Sequence, residues 1–188
     1  MRIKKTPLRK RVWRMATNPF RRFRRDASGT SAIEFSIVAL PFLVLLFAII
    51  ETSLVFFSGQ ILETAVSDSA RLILTGQAQG GGLNQTTFKN AVCARITGML
   101  DCANGVYVDV RTFSTFGSIT FNNLPFDAEG KPKPADFTYQ PGGAGEIVVV
   151  RLFYQFPLSV PNLIPSLVNM YGNKHLLIAT AAFRNEPF

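Results

Sequence analysis

The chain has 188 residues, which is enough for one modest domain with accessory segments. Its net charge of +8 is distributed unevenly: residues 1–25 contain eleven of the twenty basic residues and no acidic one, whereas the remainder carries nine basic and twelve acidic residues. The basic character therefore belongs to an N-terminal arm, which excludes a generally cationic domain.

The basic arm ends only a few residues before a long apolar segment. A basic flank beside an apolar span is held on the cytoplasmic side of a membrane, and it attracts anionic lipid as well. Nucleic-acid binding is the alternative use of such an arm, because Trp13, Phe20 and Phe23 lie among the cations. We favour orientation of a membrane span and expect no nucleic-acid partner.

The apolar segment between Glu34 and Glu51 contains sixteen uncharged residues, FSIVALPFLVLLFAII. If the helix continues to Phe57, it reaches about 35 Å, which is sufficient to cross a bilayer core. The segment is too long for a cleaved secretory signal, and no small-x-small site follows it. The sequence therefore predicts a cytoplasmic leader (1–29), a transmembrane helix (30–58) and a periplasmic domain (59–188).

Carboxylates stand at both ends of this apolar segment. We expect Glu51 to reach the outer headgroups. Glu34 lies just inside the inner boundary, where an acid is costly unless it has a function or a partner. A carboxylate in the first turn of a helix is also favourable to the helix dipole, which leaves a structural role open.

The residues around Glu34 resemble the class III signal of type IV pilins: a basic leader, Gly29, four small or apolar residues, the acid, and an apolar helix containing Pro41. More specifically, GTSAIEFSIVALPFLVLLFAIIE followed by ILETAVSDSAR resembles the TadE-like minor pseudopilins of the tight-adherence (Flp) pilus system. The resemblance covers about a quarter of the chain. It rests on Gly29, Glu34-Phe35, Leu40-Pro41 and Ala70-Arg71.

This resemblance implies cleavage between Gly29 and Thr30 by a prepilin peptidase, and seating of the subunit in a filament through Glu34 and an N-terminal amine. It also implies as partners other pilins or pseudopilins, the pilus assembly platform and inner-membrane lipid. The implied function is that of a minor pseudopilin in pilus biogenesis, adhesion and biofilm formation. The alternative is an uncleaved single-pass inner-membrane scaffold or sensor with a periplasmic binding domain.

An apolar stripe through Leu62, Val66 and Ile73 predicts that the helix continues from about Ser31 to Thr75, with its outer third packed on a domain. Pro41 removes one backbone hydrogen bond and is expected to bend the helix. Arg71 lies off the stripe. We interpret it as a solvated residue or a partner of Asp68, with contact to another subunit as the alternative.

The remainder predicts an α+β domain of pilin-like layout, with a second helix and an antiparallel sheet of about three strands. We expect a flexible joint at GQAQGGGLNQTT, a helix over 85–100 and a long exposed loop over 122–145. The predicted strands lie in GVYVDVRTF, EIVVVRLFYQF and HLLIATAAF.

Few residues in this domain suggest chemistry. Cys93 and Cys102 are the only cysteines, and we expect them to form a disulfide because their segment is predicted to face the periplasm. His175 is interpreted as structural or exposed, and the loop acids Asp127, Glu129 and Asp136 lack the spacing of a calcium site. We therefore predict no enzyme activity, no cofactor and no metal.

Overall fold

The computed structural model describes residues 30–96, 98, 100–121, 124–160 and 164–188. Its first element is α1 (Thr30–Leu74), a helix of 45 residues that contains Pro41. Three hydroxyl side chains in its apolar part are satisfied within the helix, since Ser36, Thr52 and Ser53 each donate to the carbonyl four residues earlier. The predicted long helix is confirmed. The contacts between residues divide the chain into two compact units, and the boundary lies within α1, after Leu43.

Three short helices follow: α2 (Gln77–Gly80), α3 (Gln85–Cys93) and α4 (Cys102–Gly105). The predicted joint is instead an ordered helical turn, because the Gln79 amide donates to the Pro141 and Gly142 carbonyls at 2.9 and 3.1 Å. The predicted second helix is shorter than expected and ends at Cys93. Gly98, with a φ of 45°, follows in the segment that returns the chain towards α4.

The sheet contains β1 (Val106–Phe113), β2 (Ile147–Pro157) and β3 (Lys174–Arg184), in the antiparallel order β1-β2-β3. Asp109 stands opposite Arg151, and Leu152 stands opposite Ala179. All three predicted strands are present. The fold is therefore α+β, with a long N-terminal helix and a small three-stranded domain.

The main core lies between the sheet and the second half of α1. The alternation of β1 and β2 places one set of valine, leucine and tyrosine side chains on this face. The helical contributors are Leu62, Ala65, Val66, Ile73, Phe88 and Val92, and the strand contributors include Val108, Val110, Val148, Val150, Leu152 and Tyr154.

The opposite face of the sheet is covered as well, which corrects the prediction that 122–145 forms an exposed loop. Phe126 is buried and meets Phe153 edge to face, with ring centroids 5.8 Å apart. Phe137 packs on the same ring at 5.9 Å and stacks on Tyr107 at 5.4 Å. The described part of the segment, 124–145, is thus an irregular loop, as predicted, but Phe126 and Phe137 anchor it on the second face of the sheet while many of its other residues stay exposed.

Candidate functional site

The apolar part of α1 is exposed along its length. The most apolar window of the helix has none of its residues buried, and among the described residues α1 is the one helix long and apolar enough to cross a membrane. The exposed large side chains here are Ile33, Phe35, Ile37, Val38, Leu40, Phe42, Leu43, Val44, Leu45, Leu46, Phe47, Ile49, Ile50, Leu54, Phe56 and Phe57. A soluble domain rarely exposes such a contiguous surface, which indicates contact with lipid or with other subunits.

Three of the predicted site residues lie in the first part of this helix. Thr30 is its first described residue, and Gly29 lies outside the described residues. Glu34 is exposed, and within the described ranges no ion pair includes it. Pro41 stands inside the helix as predicted, while the bend it should cause stays a prediction.

Glu51, by contrast, is buried at 5% exposure, which corrects the expectation that it extends to the headgroups. Its Oε1 accepts hydrogen bonds from the backbone amides of Ser159, at 2.5 Å, and Val160, at 3.0 Å. These residues directly follow β2. A carboxylate bonded to two amides tolerates burial because its lost hydration is replaced by charge-assisted hydrogen bonds. Glu51 therefore fixes the β2–β3 connection to α1.

Arg71 is exposed near the end of α1 and lines an open cavity of about 320 Å³ together with Asp68 and Arg95. No ion pair joins Arg71 to Asp68 in the described part of the chain, so the predicted pairing of these two residues is not formed. The Arg95 guanidinium donates to the Ala91 carbonyl at 2.6 Å. The cavity presents two guanidinium groups and one carboxylate, a combination suited to an acidic side chain of a partner.

The disulfide is formed as predicted. Cys93 at the end of α3 is bonded to Cys102 at the start of α4, with a Cα–Cα distance of 5.5 Å. Cys102 is buried and contributes to the main core. The bond is thus part of the fold, and it connects the two helices that lead into β1.

A charged cluster on the second face of the sheet was not predicted from the sequence. Asp109 is fully buried. It accepts from the Arg151 guanidinium at 2.6 Å, from the Arg111 Nε at 2.9 Å and from the Thr138 amide at 3.0 Å. Burial lowers the pKa of Arg151 and the Asp109 hydrogen bond partly offsets this effect. The opposite charges on facing strands were the available signal.

The cluster has a structural role, because each of its charges is bonded to another group of the domain. The Arg151 guanidinium also stacks on Phe121, 3.6 Å from the ring centroid, which closes the cluster on its outer side. The described residues contain no group of three or more His, Cys, Asp or Glu side chains that could hold a metal ion. Among the described residues, the contiguous exposed apolar surface and the open cavity beside Arg71 both lie along α1.

The described contacts bring together only one pair of predicted site residues, Cys93 with Cys102. Thr30, Glu34, Pro41 and Arg71 are distributed along α1 and share no described hydrogen bond or ion pair. The predicted site residues are thus spread along α1 and do not converge at one position.

Comparison with known proteins agrees with this description. No curated protein and no solved structure matches the chain. The family model described as TadE-like protein matches residues 29–71, which include Gly29, Glu34, Pro41 and Arg71. The chain therefore carries a TadE-like segment over residues 29–71, which confirms the resemblance recognised from its sequence.

Proposed function

We propose that this chain is a minor pseudopilin, an inner-membrane-anchored component of tight-adherence pilus assembly that supports pilus biogenesis, adhesion and biofilm formation. The observation that carries the proposal is the family match over 29–71, because this segment is the exposed apolar helix and its continuation into the domain. The protein acts through contacts with other pilins or pseudopilins and the assembly platform, and it catalyses no reaction.

The proposed topology places residues 1–29 in the cytoplasm, 30–58 in the inner membrane and 59–188 in the periplasm. The eleven basic residues before the span support the cytoplasmic location of the N-terminus. The disulfide between Cys93 and Cys102 supports the periplasmic location of the domain, because such bonds persist in oxidising compartments. Protease added to spheroplasts should digest the domain, whereas residues 1–29 of uncleaved protein should be spared.

Glu34 is proposed to seat the subunit against a positive amine. Cleavage after Gly29 creates that amine on Thr30, one helical turn before Glu34, or a neighbouring subunit supplies it. The exposure of Glu34 supports this role, since the carboxylate is accessible to a partner. Arg71, exposed beside its open cavity, is proposed as a second contact, with an acidic group of a partner subunit.

Intact mass spectrometry tests the leader peptide. Protein from cells with a prepilin peptidase should begin at Thr30, whereas protein from cells without the peptidase should retain residues 1–29. Gly29→Ala should abolish processing, while Gly117→Ala, a substitution into open space within the domain, should not affect it. Full-length protein in both strains would contradict cleavage and favour an uncleaved single-pass scaffold or sensor.

Assembly is tested separately with Glu34→Gln, which preserves size and removes the charge. Processing should continue, while co-purification with pilins or pseudopilins should decrease. Glu63→Gln is the matched control, because Glu63 is an exposed acid on the same helix. Equal partner recovery with Glu34→Gln and Glu63→Gln would contradict a seating role for Glu34.

A further inference from the structure

The first residues of the connection between β2 and β3, Ser159 and Val160, lie beside α1 at the level of Glu51. The Ser159 and Val160 amides donate to the Glu51 carboxylate. At the start of the same connection, the Leu158 amide donates to the Asn173 carbonyl at 3.1 Å, which brings its two ends together. The described residues of this connection, 158–160 and 164–172, are called the basal loop below.

The side of α1 that the domain leaves uncovered stays apolar beyond Glu51. Phe56 is 69% exposed and Phe57 is 54% exposed. These residues lie about 8–9 Å further along the helix axis than Glu51. If α1 crosses a bilayer, the apolar layer has to extend to Phe57 to cover them, so a structure at the level of Glu51 lies below the membrane surface.

The composition of the basal loop suits this depth. The sequence carries no charged residue from Leu158 to Asn173. Apolar side chains at Ile164, Leu167, Val168 and Met170 are only partly covered, and Tyr171 is 71% exposed. Tyrosine is enriched where a protein meets the boundary between lipid and water, because its ring is apolar and its hydroxyl is polar.

Glu51 itself is consistent with an environment of low polarity. The Ser159 and Val160 amides supply the hydrogen bonds that water would otherwise provide, and the side chain is almost fully covered. A free carboxylate at this depth would be costly, whereas one bonded to backbone amides is compatible with lipid nearby.

We propose that the basal loop is a second membrane contact, which lies in the interfacial layer of the bilayer beside α1 and holds the domain against the membrane. The inference rests on the proposed membrane anchoring of α1. Charges near the loop are mixed: Gly130, where an added methyl group would lie within 4 Å of Met170 and Tyr171, stands between Glu129 and Lys131. The contact is therefore apolar in origin and requires no anionic lipid.

The test uses tryptophan fluorescence of the full chain in vesicles of phosphatidylcholine with bromine-labelled acyl chains. Trp13 is the only tryptophan in the sequence, so Trp13→Phe gives a silent background. Tyr171→Trp then reports on the basal loop. Phe47→Trp reports on the exposed apolar helix. Phe116→Trp is the matched control, because Phe116 is an exposed aromatic residue that follows the C-terminal end of β1, at the edge of the sheet away from the basal loop.

The expected result is quenching of Tyr171→Trp several-fold stronger than that of Phe116→Trp, with emission shifted to shorter wavelength. Replacing part of the lipid with phosphatidylglycerol, or adding salt, should leave the quenching unchanged. Quenching of Phe47→Trp alone, with Tyr171→Trp equal to Phe116→Trp, would overturn the basal-loop contact and leave the anchor intact. Absence of quenching in Phe47→Trp would overturn the anchor itself.

A protein partner on the basal loop gives a different outcome. If a second copy covers the loop, the emission of Tyr171→Trp should shift as the protein-to-lipid ratio rises, without quenching by the labelled lipid. That result would also overturn the membrane contact.

Discussion

Replacing Glu51 with leucine removes the acceptor that the Ser159 and Val160 amides share. An unsatisfied buried amide costs about 1–3 kcal/mol, so the two amides together cost about 2–6 kcal/mol if the basal loop stays in place. The loop can avoid part of this cost by opening to water. We therefore expect the lower end of the range, about 2 kcal/mol, expressed as local opening of the loop.

Glu51→Gln should give an intermediate effect. It retains an oxygen acceptor in the same position, but a neutral acceptor forms hydrogen bonds roughly half as strong as those of a carboxylate. The order of loop stability should therefore be Glu, then Gln, then Leu at position 51. Glu63→Leu is the matched control, since Glu63 is exposed and its hydrogen bond with Gln60 is long, at 3.4 Å.

Hydrogen exchange measured by mass spectrometry on the full chain in detergent micelles provides the assay. A loss of about 2 kcal/mol corresponds to roughly 30-fold faster exchange of peptides that contain Ser159 and Val160. Peptides from β1 should exchange at the original rate. Unchanged exchange at Ser159 and Val160 in Glu51→Leu, or an equal change in Glu63→Leu, would refute the assignment of Glu51 as the attachment of the basal loop.

Other substitutions test the domain through its thermal unfolding. Asp109→Asn leaves the Arg151 charge buried without its partner and should lower the free energy of unfolding by about 3–5 kcal/mol. Adding Arg151→Met in a double variant should recover part of that stability. Removal of the Cys93–Cys102 disulfide, which links residues nine positions apart, should cost about 2–3 kcal/mol. Gly105→Ala places a methyl group 2.5 Å from the Tyr154 ring and should cost about 1–3 kcal/mol.

Two of these substitutions, Asp109→Asn and Gly105→Ala, have a control with the same chemical change at an exposed position. Asp101→Asn and Gly117→Ala should shift the unfolding temperature far less than Asp109→Asn and Gly105→Ala, because Asp101 is exposed and Gly117 faces open space. Independent effects of Asp109→Asn and Arg151→Met would contradict their coupling. An unfolding temperature that does not respond to reducing agent would contradict a stabilising role of the disulfide.

The long helix, the three strands and the disulfide could be predicted because each has a local signal. The α1 stripe repeats at helical spacing, and β1 and β2 alternate apolar residues on the face that packs on α1. The second face of the sheet was not predicted, because proline and glycine in 124–145 indicate a loop without saying where it packs. Phe126 and Phe137 within that loop were the available signal.

The positions of the charges were the least predictable feature. The burial of Asp109 was not predicted, because alternation gives the face of a side chain but not what covers that face. Its burial depends on Arg151, 42 residues away, and on Thr138 in the covering layer. Glu51 was assigned to the headgroups for the same reason, since its partners lie 108 and 109 residues away in sequence.

Glu34 and Glu51, at the two ends of the apolar run of α1, therefore differ in where their partners come from. The Glu51 carboxylate accepts hydrogen bonds from backbone amides of its own domain. It therefore attaches the basal loop to α1 and needs no partner from another subunit. Glu34 is exposed, and the ion pairs of the described residues do not include it. In a membrane or a filament, an exposed carboxylate is stable only with a partner. The same residue type thus fixes the domain at one end of the run and is proposed to select a binding partner at the other.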